Sequence, residues 1–88
     1  MIFDYDIKKD ASNRAKHEMP LECAVELFDG PVAIMLDSRK DYREVRYVAY
    51  GMISGRLCVC GFTDRGNIRR IISLRKANKR ERDAYREN

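Results

Sequence analysis

Histidine and cysteine are scarce in this 88-residue chain, and their scarcity excludes two kinds of site. One histidine, His17, and three cysteines without a Cys-x-x-Cys pair are too few ligands for a zinc site. The cysteines are odd in number, and Cys58 and Cys60 project from the same face of a predicted strand, so we expect reduced core thiols. The single histidine also excludes a general acid and base pair built from two histidines. We therefore predict no metal and no cofactor.

Long apolar runs are also missing. No window approaches the roughly 18 consecutive apolar residues of a membrane span. Residues 1–6 lack the basic start and apolar middle of a signal peptide. The chain is therefore predicted to be cytoplasmic, without a membrane partner. Its length predicts a single domain over residues 1–88, with a core too small for a deep cofactor pocket.

Acidic residues are rare in the last quarter of the chain. Residues 65–86 contain nine Lys or Arg and only two acids, Glu81 and Asp83, so half of the eighteen basic residues lie there. The net charge of +4 and the pI near 9.1 point in the same direction. Clustered cations on a rigid frame favour a polyanionic partner.

Apolar patterning predicts an α+β domain, a small antiparallel sheet with packed helices. Ser54-Gly55 is typical of a two-residue hairpin turn. Asn78 and Glu81 have the spacing of a capping box, so a last helix with a thin apolar stripe should begin there. The predicted order is a strand at 2–5, helices at 7–16 and 20–28, strands at 32–36, 44–50, 57–62 and 68–74, and the last helix.

Two strands carry candidate residues for metal-free RNA cleavage, which needs a proton acceptor, a proton donor and cations near the phosphoryl oxygens. Glu44 and Arg46 project from one face of their strand, as a base beside a phosphate-binding arginine would. Tyr47 points to the opposite face.

In the last strand, Arg69, Ser73 and Arg75 share one face by alternation. Arg70 falls on the other face with Ile72. The three arginines therefore reach one phosphate only if the strand bulges or ends early.

Each feature also has a structural interpretation. A Glu-x-Arg pair is usually an exposed ion pair worth under ~1 kcal/mol, and His17 is typical of a cation at a helix C-terminus. A basic last helix is more often a solvated or protein-docking surface than an RNA groove. A basic RNA- or protein-binding module that cleaves nothing is the alternative function.

A set of residues and short motifs spread along the chain matches the pattern of a known family. They are Tyr5-Asp6, Asn13, Lys16-His17, Phe28-Asp29, residues 44–47, Gly51, residues 70–77, Glu81-Arg82 and Tyr85. Through these residues nearly the entire chain resembles the BrnT family of toxin ribonucleases, with the last strand and helix as the most specific part. The chain departs from the family pattern at Tyr5, where tryptophan is usual, and at Glu18, where a glycine usually follows the Lys-His pair. We expect Glu18 to alter the turn that ends the helix, because Glu resists positive φ.

The resemblance implies a RelE-like ribonuclease toxin fold and metal-independent endoribonuclease activity that inhibits translation and growth. It also implies RNA as substrate and a BrnA-like antitoxin as partner, with a heterotetramer among the possible assemblies and DNA bound only through the antitoxin. Together with the residue patterns, it suggests catalytic roles for His17, Glu44, Arg46, Arg70 and Arg75. RNA-binding roles are suggested for Lys16, Tyr47, Ser73 and Lys76.

Overall fold

The computed structural model describes residues 1–86. A short 3-10 helix at Leu21–Cys23 leads directly into the second α-helix. Within residues 1–86, no helix is long and apolar enough to cross a membrane. The elements are β1 Ile2–Tyr5, α1 Ile7–His17, α2 Ala24–Asp29, β2 Ala33–Leu36, β3 Tyr47–Ile53, β4 Arg56–Arg65, β5 Ile68–Lys76 and α3 Lys79–Arg86.

The five strands form one sheet in the order β1-β5-β4-β3-β2. The prediction of an α+β domain is confirmed. The prediction that the sheet is antiparallel is wrong at one edge, because β1 pairs with β5 in parallel. After β1, the chain crosses to the far edge through α1 and α2, and three reversals from β2 then return β5 in the direction of β1. The sheet is therefore mixed.

The turn between β3 and β4 is the predicted two-residue hairpin. Ile53 pairs with Arg56, and the intervening Ser54 and Gly55 have φ values of 50° and 75°. Two positive φ angles match the right-handed twist of the flanking strands. Strand β3 begins at Tyr47 and not at residue 44, since the preceding loop is held by its own side chains, which compete with strand pairing.

One face of the sheet, the helical face, is covered by α1, the 3-10 helix and α2. Gly51 allows the closest approach, because a Cβ atom there would lie 2.9 Å from Leu27 Cγ. The three cysteines are free thiols, and burial raises the pKa of Cys60 to about 12. The buried core on this face comprises Met19, Leu21, Ala24, Leu27, Ala49, Ile53, Cys58, Cys60, Phe62, Ile71 and Leu74.

The opposite side, the open face, has a smaller apolar cluster of Leu57, Val59 and Ala77, against which Tyr85 of α3 packs. The predicted capping box at the start of α3 is confirmed: Glu81 N–H donates to Asn78 Oδ1 at 2.8 Å, and Asn78 N–H donates to Glu81 Oε1 at 2.9 Å. These bonds satisfy two backbone donors at the helix start. Helix α3 thus covers one end of the open face.

Candidate active site

A bulge in β5 decides which arginines reach the open face. Ile71 pairs with Phe62 and Ser73 pairs with Gly61, which leaves Ile72 as an extra residue without a partner. An extra residue reverses the alternation of side chains beyond it. Arg70 therefore lies on the same face as Ser73 and Arg75, and the prediction that strand alternation separates Arg70 from them is wrong.

Arg69 instead lies on the helical face. Its guanidinium carbon is 4.7 Å from the ring centroid of Phe28 and 4.4 Å from that of Phe62. Two hydrogen bonds, at 2.8 and 2.9 Å, join it to the Asp64 carboxylate. This bonding raises the pKa of Arg69. Arg69 is a packing residue of the core edge, because both the charge and the planar surface of its guanidinium are satisfied there.

An open cleft of about 470 Å³ lies on the open face. It brings together His17 from the end of α1 and Ser73 and Arg75 from β5, three of the residues suggested from the sequence. The cleft is lined by His17, Met35, Leu36, Asp37, Ser38, Arg39, Val48, Tyr50, Val59, Gly61, Ser73, Arg75 and Glu81.

Asn13 fixes the helix that carries His17 to the strand that carries Ser73 and Arg75. Strand β1 pairs with β5 only as far as Ile71, so the β5 backbone beyond that point lacks a strand on this side. The buried Asn13 amide takes the place of that strand: Leu74 N–H donates to Asn13 Oδ1 at 3.1 Å, and Asn13 Nδ2 donates to Leu74 O at 2.8 Å. The same Nδ2 donates to Met19 O at 2.8 Å.

His17 is the last residue of α1, and the helix ends at Glu18 with φ 58° and ψ 28°. Glu18 N–H donates to Arg14 O at 2.9 Å, which closes the last turn. This left-handed conformation normally favours glycine, since a Cβ atom crowds the backbone. Glu18 adopts it nevertheless, at the cost of local backbone strain, so the prediction that Glu18 alters this turn is wrong.

Arg75 is held by Glu81 of α3 in a two-pronged ion pair. Both nitrogen–oxygen distances are 2.8 Å. Arg75 lowers the pKa of Glu81 from 4.5 to about 2, and the same bonds raise the pKa of Arg75. One carboxylate therefore caps α3 and neutralises a cation that lines the cleft. The capping-box spacing found Glu81 in the sequence, but its bond to Arg75 depends on the fold.

Sequence reasoning missed three further residues around the cleft. Arg39 lies on its rim, bound to Asp37 at 2.9 Å through both Nε and Nη2, and this pairing holds the pKa of Asp37 at about 2. Tyr50 lines the wall. A Cβ atom at Gly61 would lie 2.7 Å from Ser73 Oγ, so glycine leaves room for that hydroxyl. No local motif marks these positions. Strand pairing places Tyr50 and Gly61, and Arg39 lies in the loop between β2 and β3.

Glu44 and Arg46 lie outside the lining of the cleft. Glu44 binds Arg65 at 3.1 Å and Arg46 at 3.3 Å, and these arginines, Arg65 first, lower the pKa of Glu44. A lowered pKa makes a carboxylate a weak general base at neutral pH. Arg46 also stacks on Tyr42, with 4.1 Å between the guanidinium carbon and the ring centroid.

Arg70 also has acidic partners. It lies 3.2 Å from Asp4 Oδ2 and 3.8 Å from Asp6 Oδ2, at the β1 edge of the sheet. Its guanidinium is therefore directed toward the start of the chain, although it shares the open face with Arg75.

The remaining suggested residues do not line the cleft. Tyr47 stacks on Phe62 on the helical face, with ring centroids 5.3 Å apart. Lys76 pairs with Cys58 and so projects from the helical face as well. Lys16 is exposed in the last turn of α1, beside His17.

Residues 5–81, from the end of β1 into the first turn of α3, match the family described as the ribonuclease toxin BrnT of type II toxin–antitoxin systems. The chain belongs to the BrnT family. A search of curated proteins gave no match. BrnT membership assigns the chain to the ribonuclease toxins and implies an RNA target and an antitoxin partner.

Proposed function

We propose that this BrnT toxin is an endoribonuclease that cleaves RNA without a metal in the open-face cleft. The observation that carries the proposal is the meeting of His17, Ser73, Arg39 and Arg75 around one cleft, although they come from three separate parts of the chain. An imidazole, a hydroxyl and two guanidinium groups are a suitable set for phosphoryl transfer.

In the proposed reaction, His17 accepts the proton of a ribose 2′-hydroxyl while that oxygen attacks the adjacent phosphorus. The bond from phosphorus to the 5′-oxygen breaks, and the leaving oxygen takes a proton from solvent, since the cleft is open. The products are a 2′,3′-cyclic phosphate and a 5′-hydroxyl. Arg75 and Arg39 stabilise the charge on the phosphoryl oxygens, and Ser73 orients the phosphate.

The other suggested residues take different parts in this proposal. Arg46 and Arg70, both outside the cleft, bind phosphates that flank the cleavage site, and Lys16 adds positive potential beside His17. Glu44 holds Arg46 and Arg65 in place instead of accepting a proton. Tyr47 and Lys76 have no role in cleavage, because they project from the helical face.

The partner in this proposal is a BrnA-like antitoxin that neutralises the toxin by covering the open face, in a heterotetramer whose DNA contacts belong to the antitoxin. The RelE-like character of the fold and the arrest of translation and growth are part of the same proposal.

A time course on end-labelled RNA with excess EDTA tests the activity, using wild-type protein, Arg75→Ala and Arg56→Ala. Arg56 is an exposed arginine of the same sheet that does not line the cleft. We expect cyclic-phosphate ends with wild type and Arg56→Ala, and a loss of about 100-fold or more with Arg75→Ala. RNA that stays intact but bound, with steeply salt-dependent affinity, would instead identify a non-catalytic binding module.

A further inference from the structure

A second groove, of about 320 Å³, lies on the open face between the β2–β3 edge and α3. Ala33 and Tyr50, a cross-strand pair, form its floor together with Met35. One side of α3 forms its wall, since residues four apart on a helix share a face. The groove is lined by Ala33, Met35, Tyr50, Arg80, Glu81, Ala84 and Tyr85.

This groove is continuous with the cleft. Met35, Tyr50 and Glu81 line both, so the two spaces meet along a shared boundary. A ligand that places a phosphate beside Arg75 therefore has its neighbouring group at the mouth of the groove. The groove contributes mostly apolar and aromatic surface there, in contrast to the charged cleft.

The lining matches the chemistry of a nucleobase next to a phosphate. Tyr50 and Tyr85 offer aromatic surface, Met35 offers polarisable apolar surface, and Arg80 adds a cation at the wall. Every base has a π-face that stacks on such surfaces, and arginine adds attraction to the ring. We propose that the groove binds one nucleobase of single-stranded RNA, adjacent to the phosphate held in the cleft.

Charge and size favour RNA over a peptide segment as the occupant. Three arginines outnumber two carboxylates in the lining of the joined spaces, and the excess of positive charge suits a polyanion. The arginines are Arg39, Arg75 and Arg80, and the carboxylates are Asp37 and Glu81. The groove is also at the small end of the range of about 300–1,000 Å³ that ligand pockets occupy, so it suits one flat group. The inference rests on the proposed function for the position of the phosphate. Its test measures the stacking of a base and does not depend on cleavage.

The test measures binding of an uncleavable 2′-O-methyl single-stranded RNA that carries one 2-aminopurine, placed at each position in turn. The groove is filled from the helix side by Ala84→Leu, whose aliphatic side chain takes up space without offering a surface for stacking. Ala11→Leu, at an exposed alanine of α1 outside the groove, is the matched control. We expect wild type and Ala11→Leu to quench the fluorescence at one position by stacking. Ala84→Leu should abolish that quenching and weaken binding about ten-fold.

Two further measurements protect the test from a folding artefact. Tyr50→Leu removes the aromatic surface from the sheet side and should also abolish the quenching, while circular dichroism checks that each variant is folded. An RNA abasic at the quenched position should bind wild type about ten-fold more weakly than the intact RNA. The Ala84→Leu variant should bind the abasic RNA and the intact RNA equally weakly.

Unchanged quenching and affinity in folded Ala84→Leu would overturn the proposal. So would an Ala84→Leu variant that loses only its affinity for the antitoxin, since a peptide would then be the occupant. Quenching without any cleavage of natural RNA would keep the base site and refute the nuclease assignment. Normal cleavage and normal RNA affinity in both groove variants would refute the base site and keep the nuclease assignment.

Discussion

The two faces of the sheet use the same strands but interact with their surroundings in different ways. On the helical face, Phe62 is 1 % exposed and packs against Phe28, Tyr47 and Arg69. On the open face, Arg75 and Glu81 keep 38 % and 17 % of their side chains exposed and bind each other. The helical face gains free energy by burial, whereas the open face keeps charges at the surface in ion pairs that a ligand can replace.

The comparison teaches that β5 belongs to both faces by alternation, while its bulge decides which arginines lie on the open face. Leu74 is fully buried in the core, and Ser73 and Arg75 on either side of it point into the cleft. Anchoring Leu74 therefore fixes the two candidate site residues next to it. We therefore expect mutations in this strand to affect stability and activity together, and mutations elsewhere on the sheet to affect them separately.

The largest expected difference between the faces is in stability. Phe62→Ala should lower the free energy of unfolding by about 3–5 kcal/mol, because it leaves a cavity between Phe28 and Tyr47. Met52→Ala, on the open face and 43 % exposed, should change it by less than about 0.5 kcal/mol. Urea denaturation measures both. Equal losses would contradict the contrast between the faces.

Asn13→Ala should affect both stability and activity. It leaves the backbone N–H and C=O of Leu74 without their buried partner, at a cost of about 2–3 kcal/mol. It also frees the end of α1, so RNA cleavage should fall further than the unfolded fraction explains. Ser12→Ala, at the exposed neighbouring position, is the control. Urea titrations and cleavage rates at a temperature where both variants are folded provide the comparison.

The pair of Arg75 and Glu81 should make stability depend on pH. In the folded protein, Arg75 lowers the pKa of Glu81 from 4.5 to about 2. The unfolded protein therefore binds more protons than the folded protein between these pH values. The contribution of the pair is complete above pH 4.5 and is lost as the pH falls toward 2. The difference in unfolding free energy between wild type and Glu81→Gln should shrink over this window. A constant difference would show that the pair adds nothing to folding.

Glu81→Gln should also strengthen RNA binding at neutral pH. Glutamine keeps the capping box and removes the charge that competes for Arg75, so affinity should rise up to about five-fold, or about 1 kcal/mol. Asp83→Asn is the control, since it removes an equal charge from α3 at a residue paired with Lys79 at 2.7 Å. Fluorescence anisotropy with uncleavable RNA measures the affinities. An equal gain in both variants would show that the effect comes from the change in net charge and not from the release of Arg75.

The smallest expected effect is at the end of α1. Glu18→Gly should stabilise the fold by about 0.5–1 kcal/mol, because the relief of left-handed strain exceeds the added chain entropy of glycine. Glu22→Gly, exposed in the 3-10 helix with no positive φ, should destabilise instead. Thermal unfolding measures both variants: Glu18→Gly should raise the melting temperature and Glu22→Gly should lower it. A lower melting temperature in both variants would contradict the strain at Glu18.

Much of the local structure could be predicted from residue patterns. The hairpin at Ser54-Gly55 and the capping box of Asn78 and Glu81 each depend on residues close in the chain, and both are present. The face of Arg70 could not be predicted, because the bulge at Ile72 depends on how β5 fits between its neighbours. Strict alternation is a property of a regular strand only.

Part of the candidate site could also be predicted from the sequence. The sequence indicates the basic last quarter and suggests His17 and Arg75 as site residues. The roles of Arg39, Tyr50 and Glu81 could not be predicted, since each reaches the cleft from a different element.

The sequence by itself determined the element types, the turns and the helix cap, because these depend on conformational preferences of adjacent residues. It also determined the excess of positive charge in the last quarter. The tertiary structure decided that β1 runs parallel to β5, which arginines share a face, and which carboxylate each arginine binds. Those outcomes depend on strand register and on contacts between residues distant in the chain, which no local pattern encodes.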